Sequence, residues 1–188
     1  MRRLVLAPHP DDEVLWCFSA LKEGTNVLIF TDNERLETSV SICDELVSNV
    51  TALGYPDTRL PEHTRSIIRL LELELKKTQY DEIYIPSRAA HQDHVAVHDA
   101  AKIALRLGQG IRAKVIEYPY LDCGQFETNL YRHLSCSELA RKEDMIDLFV
   151  GVNQKFWKRA VITMNISLAA KFTLVGGLEP FNTLLEFA

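Results

Sequence analysis

The sequence has few cysteines, no long apolar run and no excess of positive charge. Its 188 residues include four cysteines, which form no Cys-x-x-Cys pair, so a reduced cytoplasmic protein is predicted rather than a disulfide scaffold. No segment reaches the roughly 18 consecutive apolar residues of a membrane-spanning helix, so no stable membrane insertion is expected. Lysine and arginine total 21 against 26 acidic residues. The net charge of −5 makes a nucleic-acid partner unexpected.

Short apolar runs alternate with segments of helical periodicity along most of the chain. Strands are predicted at residues 3–7, 26–30, 82–85 and 114–118, and helices at 14–22, 38–53, 64–77 and 94–107. A further strand is predicted at 129–134, followed by a helix that begins at Ser135 or Ser137 and runs to Phe149. This order predicts an α/β fold, with a Rossmann-like, mostly parallel sheet and helices on both faces. No linker is evident, so residues 1–188 are predicted to form a single domain.

The first polar cluster follows the first predicted strand directly. It reads Pro8-His9-Pro10-Asp11-Asp12-Glu13 and brings one imidazole and three carboxylates together. Ligands of open α/β sheets bind at the carboxyl ends of the strands, where this segment is predicted to lie. Asp11 or Asp12 could instead simply cap the next helix. No G-x-G-x-x-G stands here, which excludes the usual dinucleotide site.

The second polar cluster follows the strand at 82–85 and contains His91-Gln92-Asp93-His94. In isolation it could be an exposed histidine-rich loop. Both clusters lie at the same edge of the predicted sheet, so we expect them to meet in space. Two histidines and one carboxylate with a fourth position open form a known catalytic zinc arrangement. Such a zinc ion polarises an acyl oxygen and activates water, a nearby carboxylate accepts a proton, and an imidazole suits the departing nitrogen.

The two clusters, in this order and spacing, resemble the PIG-L/LmbE-like family of zinc-dependent N-acetylglucosamine deacetylases. The resemblance implies that His9, Asp12 and His94 bind Zn²⁺. It implies that Asp11 is the general base, and that His91 stabilises the oxyanion or protonates the leaving amine while Asp93 orients it. The implied activity is removal of an acyl group, in the family acetyl, from the amine of an amino sugar or related small conjugate.

Several other residues have two interpretations at this stage. His98 lies four residues after His94 and could share its helical face, although packing is the simpler reading. Arg88 could hold an anionic group of a substrate or form a structural ion pair. The aromatic and acidic residues after the strand at 114–118 could line the pocket or pack in the core: Tyr118, Tyr120 and Asp122. His63 and His133 are expected to be ordinary surface or core histidines.

The sequence also departs from the family pattern. Trp16 and Phe18 stand where the family has small residues, so they fill space or narrow the pocket. The usual arginine of the following helix is absent, and Arg35 is its candidate substitute. Two alternatives to a deacetylase therefore stay open: a metal-dependent hydrolase of another bond, such as a phosphoester, and an inactive sugar-binding homologue. The expected partner is a small-molecule N-acylated amino-sugar conjugate, and homo-oligomerisation is left open.

Overall fold

The computed structural model describes residues 1–88, 91–106, 112–120, 126–149 and 154–185. The strands in these ranges are β1 (Arg3–Ala7), β2 (Thr25–Asp32), β3 (Asn49–Pro56), β4 (Glu82–Pro86), β5 (Lys114–Tyr118), β6 (Leu130–Leu134) and β7 (Gly177–Leu185). The helices are α1 (Asp12–Cys17), α2 (Leu36–Glu45), α3 (Thr64–Lys77), α4 (Gln92–Ala104), α5 (Cys136–Leu148) and α6 (Gln154–Lys171). No helix of the described ranges is long and apolar enough to cross a bilayer.

The strands form one seven-stranded sheet in the order β3-β2-β1-β4-β5-β7-β6. The first five strands in this order pair in parallel, whereas β7 runs antiparallel to β5 and β6 antiparallel to β7. The predicted α/β fold with a mostly parallel sheet is thereby confirmed. The strand order reverses between β1 and β4, and the crevice at such a reversal is where open α/β sheets bind ligands.

Helices cover both faces of the sheet, as the alternating side chains of β1 show. Val5 and Ala7 pack in the cluster that includes buried residues of α1, α2, α5 and α6. Leu4 and Leu6 point to the other face, where α3 and α4 supply the packing partners. Because β1 is buried on both faces, its sequence is a continuous apolar run rather than an alternating one.

The predicted elements agree well with the structure except in the C-terminal parts of three helices. The helix predicted at 14–22 ends as an α-helix at Cys17 and continues only as the 3₁₀ turn Phe18–Ala20. The predicted bounds of β1, α3 and β5 match, and Ser135 caps α5 in a capping box with Glu138. The helix predicted at 38–53 is wrong beyond residue 45, because α2 ends at Glu45 and residues 49–56 form strand β3. The chain reverses between them at Val47, which has a positive φ of 59°. The helix predicted at 94–107 ends at Ala104, with Leu105 as its C-cap, and Leu107 lies outside the described residues.

A buried ion pair joins the C-terminal helices to the last strand. Lys142 of α5 and Glu179 of β7 are almost fully buried, with Nζ 2.7 Å from Oε1. The same Nζ donates to Asn165 Oδ1 of α6 at 3.0 Å, and Glu179 Oε2 accepts the backbone N–H of Ser19 at 2.9 Å. Ser19 belongs to a short 3₁₀ turn, Phe18–Ala20, that follows α1. The pair therefore connects α5, α6 and β7 to the segment behind α1.

Candidate active site

The segment after β1 places its polar side chains by a tight turn. Asp11 has a positive φ of 120°, and its backbone carbonyl oxygen accepts the N–H groups of Val14 and Leu15 that start α1. Its side chain makes no capping hydrogen bond to α1. The carboxylate of Asp12 instead points backwards and accepts the backbone N–H of His9 at 2.9 Å. The capping interpretation of these acids is therefore not supported, and both carboxylates are available to the site.

The second segment meets the first at the β1–β4 crevice. The rings of His9 and His94 lie 5.4 Å apart between centroids, and those of His9 and His91 lie 4.7 Å apart. Asp12 Oδ2 lies 3.5 Å from His9 Nδ1 and 3.2 Å from His94 Nε2. The expected convergence of the two clusters is thus observed. His9, Asp12 and His94 each offer a ligand atom within 4.8 Å of the others, and all three residues are buried.

This trio has the donor set and the spacing that zinc requires. Ligand atoms about 2.0–2.1 Å from a tetrahedral zinc ion stand roughly 3.3 Å apart, which is close to the two distances measured at Asp12. Neither ring nitrogen of His94 has a hydrogen-bond partner among the described residues, and the residue is fully buried. Its Nε2 approaches Asp12 but is poorly aligned for a hydrogen bond. A buried polar atom without a partner costs roughly 1–3 kcal/mol, so a ligand at this nitrogen fits the site.

Asp93 makes different contacts from those that the sequence suggested. Its carboxylate accepts the backbone N–H groups of Thr58 at 2.8 Å and Leu60 at 3.1 Å, and it lies 3.2 Å from His9 Nε2. The link to His91 runs through the backbone, because the Asp93 N–H donates to His91 Nδ1 at 3.3 Å. In neutral His91 that bond leaves the proton on Nε2.

Two further acids, Asp11 and Glu13, flank the three candidate metal ligands His9, Asp12 and His94, which are called the metal trio below. The guanidinium of Arg35 donates to Asp11 Oδ2, so Arg35 does reach the site from the loop before α2. Glu13 accepts the backbone N–H of Asp11 at 3.2 Å and the hydroxyl of Ser39 at 2.6 Å. Arg35 therefore holds the side chain of Asp11, while Glu13 holds its backbone.

The pKa values of several ionisable groups at the site are strongly shifted. Burial alone lowers the pKa of His9, but the carboxylates of Asp12, Asp57 and Asp93 outweigh it and raise that pKa to about 12. Burial opposes ionisation of Asp12 as well, yet the imidazoles of His94 and His9 bring its pKa well below the usual range. The pKa of Asp11 is raised by burial and by Asp12, with Arg35 opposing the rise. The pKa values of two adjacent carboxyl groups are thus shifted in opposite directions, which is typical of functional sites.

Three neighbouring groups are perturbed as well. Burial and the neighbouring charges of His9 and His94 lower the pKa of His91, which favours its neutral form. The hydrogen bond from His9 lowers the pKa of Asp57 to about 2. Burial raises the pKa of Glu13 to about 7.

The remaining candidates have mostly structural surroundings. His98 is buried with Nδ1 3.0 Å from the Pro86 carbonyl oxygen and 3.2 Å from Glu117 Oε1, and it is not part of the metal trio. Arg88 is exposed and pairs with Asp99 at 3.2 Å. Tyr118 is buried and donates to the Leu6 carbonyl oxygen at 2.7 Å.

Aromatic residues lie beside the metal trio. The ring of Tyr120 is 4.2 Å from that of His94 and 5.5 Å from that of Trp157. Trp16 and Phe18 are buried in the core, and the ring of Trp16 lies 6.1 Å from that of Tyr120. Asp122 lies outside the described residues.

The residues that follow the third strand, β3, also contribute to the site, which was not predicted from the sequence. Asp57 follows β3 directly, and its Oδ1 lies 3.3 Å from His9 Nε2. Thr58, with a φ of 64°, turns its backbone N–H toward Asp93. Both residues follow the carboxyl end of a parallel strand. A prediction of β3 as a strand would therefore have placed them at the ligand-binding end of the sheet.

Comparison with known proteins supports the fold. No protein-family model and no curated protein matches the chain. Among solved structures, a conserved protein from Thermus thermophilus is 20% identical with a TM-score of 0.77, over 100% of this chain and 96% of that one. GalB, the 4-carboxy-2-hydroxymuconate hydratase of Pseudomonas putida, is 13% identical with a TM-score of 0.78, over 100% and 98%. The N,N'-diacetylchitobiose deacetylase of Pyrococcus horikoshii is 17% identical with a TM-score of 0.72, over 97% and 83%. The chain therefore has the fold shared by these proteins.

Proposed function

We propose that the protein is a zinc-dependent hydrolase that removes an acetyl or related acyl group from the amine of an amino-sugar conjugate. The observation that carries this proposal is the meeting of His9, Asp12 and His94 beside Asp11 and His91 at the strand-order reversal. A zinc ion held by this trio would polarise the acyl oxygen and make water easier to deprotonate. One of the proteins that share this fold acts on N,N'-diacetylchitobiose, which makes an N-acetylated sugar the first substrate class to test.

Asp11 is the proposed general base. It is adjacent to Asp12 but is held by Arg35 instead of the histidines, so its carboxylate can face the attacking water. The water oxygen adds to the acyl carbon while its proton moves to Asp11. Glu13 restrains the strained backbone of Asp11 and so fixes where the carboxylate lies.

His91 is the proposed group that stabilises the oxyanion or protonates the amine. Its Nδ1 accepts the backbone N–H of Asp93, so the neutral ring donates from Nε2. When the C–N bond breaks, the departing nitrogen takes the proton that Asp11 accepted from water, and the acyl group leaves as a carboxylate. Neutral His91 keeps its Nε2 proton and donates it as a hydrogen bond to the oxyanion. Positioned acids and bases of this kind typically contribute a factor of about 10²–10⁴ to the rate.

A screen for acetate release from N-acetylated amino-sugar conjugates, with metal analysis of the same sample, tests the proposal. The wild type should contain one zinc per chain, lose activity with a chelator and regain it with added zinc. Asp11→Asn should keep the zinc and lose at least about 10²-fold in kcat. Asp81→Asn is the matched control. Asp81 directly precedes β4, at the amino ends of the parallel strands and away from the site, so this variant should behave as the wild type. Normal turnover by Asp11→Asn would overturn the assignment of the base.

Hydration of a carbon–carbon double bond is the second candidate. It is favoured by the likeness to GalB, a hydratase whose alignment covers all of this chain at a TM-score of 0.78. Water activation and proton donation are needed for that reaction as well. Addition of water to an unsaturated carboxylate without release of acetate would select this alternative. Two metals about 4 Å apart would instead point to phosphoester chemistry.

A further inference from the structure

We infer that Asp57 and Asp93 together hold the Nε2–H of His9 and thereby commit its Nδ1 to the metal. This inference rests on the proposed zinc site and adds two positioning residues to it. Neither carboxylate is assigned to the metal itself. The side chain of Asp93 thus contacts His9, whereas the backbone N–H of Asp93 donates to His91.

The two nitrogens of His9 face different surroundings. On one side, Nε2 lies 3.2 Å from Asp93 Oδ2 and 3.3 Å from Asp57 Oδ1. On the other side, Nδ1 faces Asp12 Oδ2 at 3.5 Å, and that oxygen also faces His94. A metal-ligating histidine usually donates its second ring N–H to a carboxylate, which fixes both tautomer and orientation. The pair of carboxylates at Nε2 provides that partner.

A competing metal group can be drawn from His9, His91 and Asp93, whose atoms also lie within 4.8 Å of one another. The hydrogen bonds argue against it. Both oxygens of Asp93 already accept backbone N–H groups, from Leu60 and Thr58. The ring nitrogens of His94, by contrast, make no hydrogen bond among the described residues. The ligand atoms that are free of other hydrogen bonds therefore belong to the group that contains His94.

Asp57 is well placed to be tested on its own. It follows β3, at the edge of the sheet, and its other carboxylate oxygen accepts from Asn33 Nδ2 at 3.3 Å. Its side chain is 36% exposed, so a substitution should not disturb the core. Asp93 is fully buried and also anchors the loop after β3, so its variants report on folding as well as on metal binding.

Zinc affinity, measured by competition with a chromophoric chelator, provides a test that does not depend on activity. Asp57→Ala removes the acceptor, and Asp57→Asn keeps an acceptor but removes its charge. We expect zinc affinity to fall by about 10- to 100-fold in Asp57→Ala and by less in Asp57→Asn. Asp81→Asn should retain wild-type affinity, and circular dichroism should confirm that all variants fold. Affinities within twofold of wild type for both Asp57 variants would overturn the inference. A wild type that binds no zinc would overturn the proposed function as well.

A second readout addresses the tautomer directly. In protein labelled with ¹⁵N in histidine, the zinc-bound form should show His9 protonated at Nε2 and metallated at Nδ1. Protonation of Nδ1 in the zinc-bound wild type would contradict the inference even if the affinities had changed. The Asp57→Ala variant should show faster exchange of the Nε2 proton than the wild type, because one of its two acceptors is gone.

Discussion

Replacing Lys142 with methionine should destabilise the protein by about 3–5 kcal/mol, the range measured when one partner of a buried ion pair is removed. Lys142 and Glu179 are 0% and 1% exposed in their side chains, so solvent cannot compensate for the missing charge. Methionine nearly matches the aliphatic part of lysine, which keeps cavity formation small. The expected loss therefore comes mainly from the uncompensated carboxylate of Glu179 and from the lost bond to Asn165.

Thermal unfolding followed by circular dichroism provides the assay. For a domain of about 150–250 residues, 1 kcal/mol corresponds to roughly 2–4 °C in Tm, so the variant should melt about 6–20 °C lower. Lys158→Met is the matched control, because Lys158 pairs with Asp147 and Glu143 at the surface. Surface pairs contribute about 0–1 kcal/mol, so this control should shift Tm by a few degrees at most.

A double variant separates charge from packing. Lys142→Met combined with Glu179→Gln removes both charges of this buried pair and keeps an acceptor for the Ser19 N–H. We expect it to recover at least half of the stability that the single variant loses. The reasoning would be refuted by a single variant within about 1 kcal/mol of wild type, or by a double variant no more stable than the single one.

Three other predictions concern the site and the start of α5. Arg35→Met should lower kcat by roughly 10- to 100-fold with little change in KM, because the carboxylate of Asp11 loses the guanidinium that positions it. Arg35→Lys should recover part of the rate. An unchanged kcat in Arg35→Met would exclude a positioning role for this residue. Ser135→Ala should cost about 1 kcal/mol in urea unfolding, because it removes the α5 cap. Its partner Glu138 has a pKa lowered by hydrogen bonds from Ser135, so the contribution of this carboxylate is present above pH 4.5 and lost as the pH falls below it. Glu138→Gln should therefore be less stable than wild type at pH 7 and equal to it in acid; a difference independent of pH would contradict the assignment.

The central part of the fold could be predicted from sequence because its signals are local and strong. β1 is a buried apolar run that ends in a polar cluster, and α3 carries a clear amphipathic pattern. The placement of both clusters at one edge followed from the rule that parallel strands end together. By that rule, the sequence alone predicts that His9 and His94 belong to one site.

Strand β3 shows why the rest could not be predicted. Leu46, Val47, Val50 and Leu53 have a helical spacing, but Val47 sits in a turn and the later residues belong to an edge strand. An edge strand is largely exposed and lacks the buried run that identified its neighbours. The contribution of Asp57 was lost with it, because a residue after a helix is not expected at the ligand-binding edge.

The backbone of Asp11 links the chemistry of this site to its stability. A residue with a side chain at φ 120° is held in a sparsely populated conformation, at a cost of about 1–3 kcal/mol. Glycine would adopt the same turn without that strain, so selection for thermostability alone would drift toward Asp11→Gly. On the proposed mechanism, in which Asp11 is the general base, such a variant would gain stability and lose turnover. Directed evolution of this protein therefore has to screen for turnover and heat resistance together.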